Sequence, residues 1–237
     1  MNKLIVVSGG TEGIGLAIVK KFIENGFDAV ITARNIAKLQ STKLKLESQF
    51  PKLKIHIFKA DLAVKANCNS FVEFIKNLNQ NVDVLINNAG VYLPGQIINE
   101  PEGQLETMLN TNLISAYTIT RGLINEIINQ KKGHVFNICS IASITPYPDG
   151  GSYSISKYAM YGMTKVLREE LKPHGIRVTA VLPGATLTGS WDGFADTLPP
   201  DRLMDPADVA EMIFATYSIS SRSVVEDIVI RPQLGDL

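Results

Sequence analysis

Tyr153 and Lys157, in the segment YSISK, have the types and spacing for proton chemistry. A free phenol gives up its proton only at about pH 10, and a nearby ammonium stabilises the phenolate that results. Residues four apart share one face of a helix, so a helix over 152–173 holds the two together. Taken alone, the pair reads equally as solvated residues on an amphipathic helix. Ser140 stands thirteen positions before Tyr153, directly after the apolar run HVFNIC. Its hydroxyl could hold a substrate oxygen or cap a helix.

A second constellation lies near the start of the chain, where LIVV runs into SGGTEGIG, Ser8 to Gly15, and then into LAIVKKFIENG. Gly9 and Gly13 permit a tight turn and a close approach of backbone to a pyrophosphate. Gly15 is expected to let the first helix pack closely on a sheet. Free N–H groups at that helix start favour anions. Glycines also mark plain turns, but a strand-to-helix junction is where a nucleotide loop belongs.

The elements that position these residues emerge from alternating patterns. Short apolar runs at Leu4 to Val7, Ala29 to Thr32, Ile55 to Phe58, Val84 to Ile86, His134 to Ile138, Arg177 to Leu182 and Asp227 to Ile230 read as strands. They lack polar alternation, so both faces are buried. Helical period between them predicts helices at 13–25, 35–49, 64–79, 102–130, 152–173 and 205–218. This is an α/β fold, a doubly wound parallel seven-stranded sheet in one domain over 1–237. The stretch 186–205, dense in Gly, Pro and Asp and carrying Trp191, Phe194 and Leu198, reads as a lid over a substrate.

Composition narrows the partners. Of 237 residues 45% are apolar, and 23 basic side chains balance 23 acidic ones, so no overall field draws the chain to nucleic acid or an anionic membrane. Cys68 and Cys139 form no CxxC pair and three histidines are scattered, which predicts no metal site. The longest apolar runs fall far short of a membrane span. A small-molecule partner and a cytoplasmic location are expected.

The spacing Gly9, Gly13, Gly15 resembles the TGxxxGxG loop of the short-chain dehydrogenase/reductase family, with Ser8 in place of its Thr. NNAG at Asn87 to Gly90, then Asn112, Ser140, Tyr153, Lys157, Pro183 and Gly184 occur in that family's order, so the resemblance spans the chain. It implies a Rossmann-like fold and hydride transfer between a nicotinamide cofactor and a carbonyl carbon, with Tyr153 as proton donor beside Lys157. It also implies that Ser140 holds the substrate oxygen and that Asn112 holds a water passing protons through Lys157. Without it, Asn112 reads as a buried hydrogen bond inside a long helix. For the cofactor the resemblance implies Gly9, Thr11, Gly13, Ile14 and Gly15 at the phosphates, and Asp61 and Leu62 near adenine. Asn88, Ala89 and Gly90 fall at the ribose and crevice, and Pro183, Gly184, Thr186 and Thr188 at the nicotinamide amide, with Tyr153 and Lys157 touching both partners. Asp61 could instead cap a helix, Gly90 could simply end a strand, and Thr186 replaces the family's usual Val or Ile. A homo-oligomer, a tetramer, is implied as well, with Leu113, Ile114, Tyr117, Met160 and Met163 offered as interface residues.

The end of the second strand points to NADP rather than NAD. NAD enzymes place a carboxylate there to bond the ribose hydroxyls, whereas this chain reads Thr32, Ala33, Arg34. Arg34 can meet a 2′-phosphate, helped by Thr11, while Glu12 opposes and Asp28 lies at the wrong end of the strand. The expected activity is an NADP(H)-dependent carbonyl reductase or alcohol dehydrogenase. The alternatives are a reductase of 3-oxoacyl groups on a carrier protein, for which Arg121, Arg168 and Lys172 are the available basic residues, and a non-catalytic dinucleotide-binding redox sensor.

Overall fold

Side chains alternate along a strand, and in β1 (Lys3–Ser8) both sets are apolar. Leu4 and Val6 enter one core, Ile5 and Val7 the other, and all four are fully buried. The computed structural model describes residues 2–191, 193, 195–199 and 201–236. Among these, seven parallel strands form one sheet in the order β3-β2-β1-β4-β5-β6-β7. The other strands are β2 (Phe27–Ala33), β3 (Ile55–Lys59), β4 (Val82–Asn87), β5 (His134–Ile138), β6 (Arg177–Pro183) and β7 (Asp227–Ile230).

Helices cover both faces. On one, α1 (Gly13–Glu24) and α2 (Ile36–Gln49) pack with α7 (Pro206–Ser218), through Ile18, Phe22, Leu39, Val209 and Ile213. On the other, α3 (Lys65–Lys76) and α5 (Ser115–Asn129) supply Phe71, Ile75, Ile119 and Leu123. The catalytic candidates ride on α6 (Gly151–Leu171), whose Met160 packs with Ala116, Cys139, Ala180 and Leu182. Strand order reverses between β1 and β4, and a parallel sheet binds ligands outside the carboxyl ends of its strands at such a point. The glycine loop comes after β1 and Asn88 to Gly90 come after β4, so the topology puts both at that crevice. No described helix is long and apolar enough to cross a membrane.

The expected helix over 102–130 forms without a gap over 104–129, but it is not α-helical throughout. It comprises α4 (Gln104–Leu109), a π-helical turn at Asn110–Ile114, and α5. A single wide turn shifts the phase of the next helical segment without erasing the apolar period, so the pattern alone reads as continuous, and such turns collect at functional sites. This one carries Asn112, almost fully buried. A second expectation fails at Met160, which faces the core rather than a partner subunit.

His134 opens β5 fully buried. Its Nε2 lies 2.8 Å from the Thr179 hydroxyl, which itself donates to the Val225 carbonyl, so Nε2 is the donor. The ring stacks on Phe136 at 3.8 Å and Nδ1 has no partner. Burial, with Arg177 nearby, pushes its pKa well below that of a free histidine. The folded state therefore keeps His134 neutral while the unfolded chain takes up a proton below about pH 6.5, so this contribution is lost as pH falls. Urea unfolding between pH 7 and pH 5 should show wild-type stability dropping toward the acid side, by up to about 1.4 kcal/mol per unit from this residue. His134→Gln should show a shallower slope, and equal slopes would contradict the assignment.

Candidate active site

The glycine loop is shaped by its contacts with β2, with its own helix and with the loop after β4. Gly9 and Gly10 donate their N–H groups to the Thr32 carbonyl of β2 at 2.9 and 3.2 Å, and Gly9 and Gly13 take φ of +71° and +51°. A Cβ at Gly15 would sit on the Gly9 carbonyl oxygen and 2.5 Å from Asn88 Nδ2. Gly15 is thus needed for the loop to fold against its own helix, rather than for the helix to approach the sheet as expected. The Ser8 hydroxyl accepts from Asn88 N and Ala89 N, both at 2.9 Å. In return Asn88 Nδ2 donates to the Ser8 and Gly9 carbonyls at 3.0 and 2.9 Å. The side chain of Asn88 thereby stitches β1 to β4. A Cβ at Gly13 would meet Thr188 Cγ2 at 3.0 Å, which sets Thr188 over the loop beside buried Thr11. Ile14 packs its side chain on the core, leaving its backbone to the loop.

Beyond β4 and β5 the catalytic candidates converge. Lys157, 5% exposed, donates from Nζ to the Ile138 carbonyl at 2.9 Å, and Nζ lies 5.7 Å from the centre of the Tyr153 ring. A Cβ at Gly90 would lie 3.3 Å from Asn112 Oδ1 and 3.6 Å from Lys157 Nζ, so Gly90 is the floor between them. Asn112 Oδ1 accepts from Val91 N at 2.7 Å, and Nδ2 donates to the Val91 carbonyl at 3.0 Å and to Ser156 Oγ at 2.9 Å. Both amide hydrogens are spent holding the post-β4 loop to α6. Ser156 in turn donates to the Tyr153 carbonyl at 2.7 Å. Ser140 ends the β5 segment two residues after Ile138, where its Oγ accepts from Ala142 N at 3.1 Å. It caps the short turn Ile141–Ser143 while its own hydroxyl hydrogen meets no acceptor among the described residues.

A short chain dehydrogenase family model matches residues 3–198. The chain belongs to the short-chain dehydrogenase family. With that membership it is an oxidoreductase. It is 28% identical over 242 residues to a sepiapterin reductase of Chlorobaculum tepidum, covering 100% of this chain and 99% of that one. It is 31% identical over 217 residues to a 3alpha-hydroxysteroid dehydrogenase of Mediterraneibacter gnavus, covering 88% and 87%. A metagenomic short-chain oxidoreductase solved in complex with NADP superposes with a TM-score of 0.84 at 27% identity, over 98% of this chain and 97% of that one.

Three tyrosines come together around Tyr153. Tyr92 stands edge-on to Tyr153, centroids 5.0 Å apart at 77°, and Tyr147 lies close to both. Burial lifts the pKa of both Tyr92 and Tyr147 above that of a free phenol. Sequence reading missed this pair, although each comes soon after a recognised segment, NNAG or Ser140. Cys139 is inert, its thiol pushed up to about 11 by burial.

At the end of β2 the structure adds a pairing that sequence reading missed. Arg34 is exposed just past β2 and has no carboxylate partner among the described residues, whereas Glu12 is ion-paired with Lys38 of α2. Asp28 sits at the far end of β2, bonded to Asn2, Gln80 and the Lys54 backbone. Asp61 does not cap α3. Its Oδ1 accepts from Ala63 N at 3.1 Å, and Val64 occupies the capping position. Leu62 is buried in the second core, so its side chain is not free to face adenine.

Pro183 ends β6, and Gly184 N donates to the Ile230 carbonyl at 2.8 Å. Thr186 is buried, donating to the Gly184 carbonyl at 3.0 Å, and pairs with Met204 across the base of the 186–205 stretch. Arg202 ties that stretch to the Gly235 and Asp236 carbonyls at 2.8 Å each. Phe194 lies outside the described residues.

The stitch at Ser8 is testable without any ligand. Ser8→Ala strands two N–H groups and should cost about 1–3 kcal/mol in urea unfolding, whereas Ser8→Thr, which keeps the oxygen, should stay within about 1 kcal/mol of wild type. Equal stability of the Ala and Thr variants would contradict the role given to this hydroxyl.

Proposed function

We propose that the chain is an NADP(H)-dependent carbonyl reductase, reversible as an alcohol dehydrogenase, with Asn112, Ser140, Tyr153 and Lys157 as its working set. The observation that carries this reading is the Lys157 ammonium, buried and fixed on the Ile138 carbonyl one helical turn from Tyr153, at the carboxyl edge beside the glycine loop.

The residues fit a dinucleotide: the loop is folded so closely that position 15 admits no Cβ, and Arg34, exposed just past β2, has no carboxylate partner among the described residues and is free to meet a 2′-phosphate. NADP over NAD is supported by Arg34 and by the pairing of Glu12 with Lys38, which offsets the carboxylate that would oppose a 2′-phosphate. The complex of a 27% identical relative with NADP points the same way. Bound, NADPH supplies a hydride to the carbonyl carbon. The Ser140 hydroxyl donates to the substrate oxygen, and Tyr153 transfers its proton to that oxygen as negative charge develops there. Lys157 then faces the phenolate and supports its reprotonation. Because the side chain of Asn112 is committed to Val91 and Ser156, its part is to fix Lys157's surroundings, and a relayed water would depend on its main chain.

The substrate proposed is an apolar or ring-bearing carbonyl compound. Tyr92 stands edge-on to Tyr153 with Tyr147 nearby, and the loop that carries Tyr92 also exposes Leu93, which suits an apolar partner; the stretch 186–205 is its proposed lid. The carrier-protein alternative needs a basic patch. Arg168 is buried against Glu226 and Asp227, and Lys172 is paired with Glu169, which leaves only Arg121 of the three. A tetramer is proposed through the π-turn and the outer faces of α5 and α6, where Ile114, Tyr117, Ile155, Tyr158 and Val166 are exposed.

Two variants test the reading. Tyr153→Phe keeps the ring and removes the proton, so turnover should fall at least about a hundredfold while NADPH still binds; activity within about threefold of wild type would exclude Tyr153 as the acid. Arg34→Ala should weaken NADPH by about 1.5–3 kcal/mol and leave NADH nearly unchanged. A wild-type kcat/KM for NADH equal to that for NADPH would contradict the cofactor assignment.

A further inference from the structure

The helix that carries Tyr153 begins without a cap of its own. N–H groups in the first turn of a helix have no partner inside it, and the capping position of α6 is Gly150, which has no side chain to offer. Tyr153 lies in that first turn. The missing acceptors arrive from the loop after β4, and Glu100, 52 residues before Ser152, is the chief of them. Glu100 Oε1 accepts from Ser152 N at 2.7 Å, Oε2 accepts from the Ser152 hydroxyl, and the Gly95 carbonyl accepts from Gly151 N at 3.0 Å. A carboxylate here also complements the positive end of the helix dipole.

Two glycines make room for it. A Cβ at Gly151 would lie 2.5 Å from Glu100 Oε1 and 3.0 Å from the Gly95 carbonyl oxygen, and one at Gly95 would lie 2.7 Å from Glu100 Cγ. Gly95 N donates to the Asp149 carbonyl at 2.9 Å, and Gln104 Nε2 reaches the Leu93 and Pro94 carbonyls at 3.3 and 3.4 Å. The same loop carries Tyr92 against the Tyr153 ring, and exposed Leu93, Ile97 and Ile98.

We infer that Glu100 is a positioning residue for Tyr153: it caps the catalytic helix from the substrate-side loop, so that the loop and the proton donor become ordered together. The inference rests on Tyr153 being the proton donor. Loss of the cap frays the first turn and displaces Tyr153, whereas Lys157, a turn further in and buried, stays on Ile138. The effect therefore falls on kcat and spares NADPH binding.

Glu100→Ala, Glu100→Gln and Gly151→Ala are compared with wild type by hydrogen–deuterium exchange of residues 150–157, which needs no substrate. They are also compared by kcat with NADPH and either diacetyl or 1-phenyl-1,2-propanedione, and by NADPH binding followed by fluorescence. Glu100→Ala should speed exchange in the first turn by about tenfold or more and lower kcat by about tenfold or more. NADPH affinity should stay within about twofold. Glu100→Gln keeps an oxygen for Ser152 N and should recover kcat to within about threefold of wild type. Gly151→Ala introduces a better helix former, yet its methyl displaces the carboxylate, so it should lose turnover as Glu100→Ala does.

Unaltered exchange with kcat within about twofold in Glu100→Ala would overturn the inference, as would Gly151→Ala at wild-type turnover and exchange. Gly151→Ala and Glu100→Gln decide the matter if Glu100→Ala does not fold. A wild type inert toward both diketones would count against the reductase reading, and exchange would still decide the cap.

Discussion

A lysine ammonium held almost out of water is the constraint around which the site is arranged. Burying a charge without partners is costly, and Lys157 meets that cost by donating to the Ile138 carbonyl at the end of β5. That bond, with Asn137 donating to Thr164, Arg168 donating to the Val178 carbonyl and Met160 packed in the core, sets the rotation of α6 over the sheet. This seating places Tyr153 one turn nearer the helix start, at the carboxyl edge of the strands, with Gly90 opposite, where a Cβ would press on Asn112 Oδ1 at 3.3 Å. Asn112 completes the enclosure from the π-turn, tying the loop after β4 to Ser156 on the same helix.

The rest of the crevice is built by similar short ties between strand ends. Ser8 and Asn88 exchange four hydrogen bonds involving Ala89 and Gly9, so the glycine loop and the loop after β4 move as one piece. Each tie pairs buried or half-buried polar groups across strand ends, which stiffens the arrangement where a cofactor and a carbonyl carbon would be held in register.

The features legible in the sequence and those hidden from it divide along a physical line. Strands buried on both faces, the glycine spacing and the Tyr153–Lys157 pair are local patterns, and local patterns survive in one dimension. The π-turn at Asn112 was hidden because one wide turn leaves the apolar period looking unbroken. Met160 was misread because a surface and a core methionine have the same neighbours in sequence. Lys38 beside Glu12, Tyr92 beside Tyr153 and Glu100 beneath Ser152 are contacts between distant segments, 26, 61 and 52 residues apart, and no periodicity encodes them.

The central claim is that the set of Asn112, Ser140, Tyr153 and Lys157 delivers a proton to an oxygen whose carbon receives hydride from NADPH. Its most direct test is the mass of the alcohol formed from 1-phenyl-1,2-propanedione by wild-type protein with NADPH deuterated at either the 4R or the 4S position. One deuterium is expected on the new carbinol carbon from one of the two labelled cofactors and none from the other. An alcohol carrying no deuterium from either would contradict the claim.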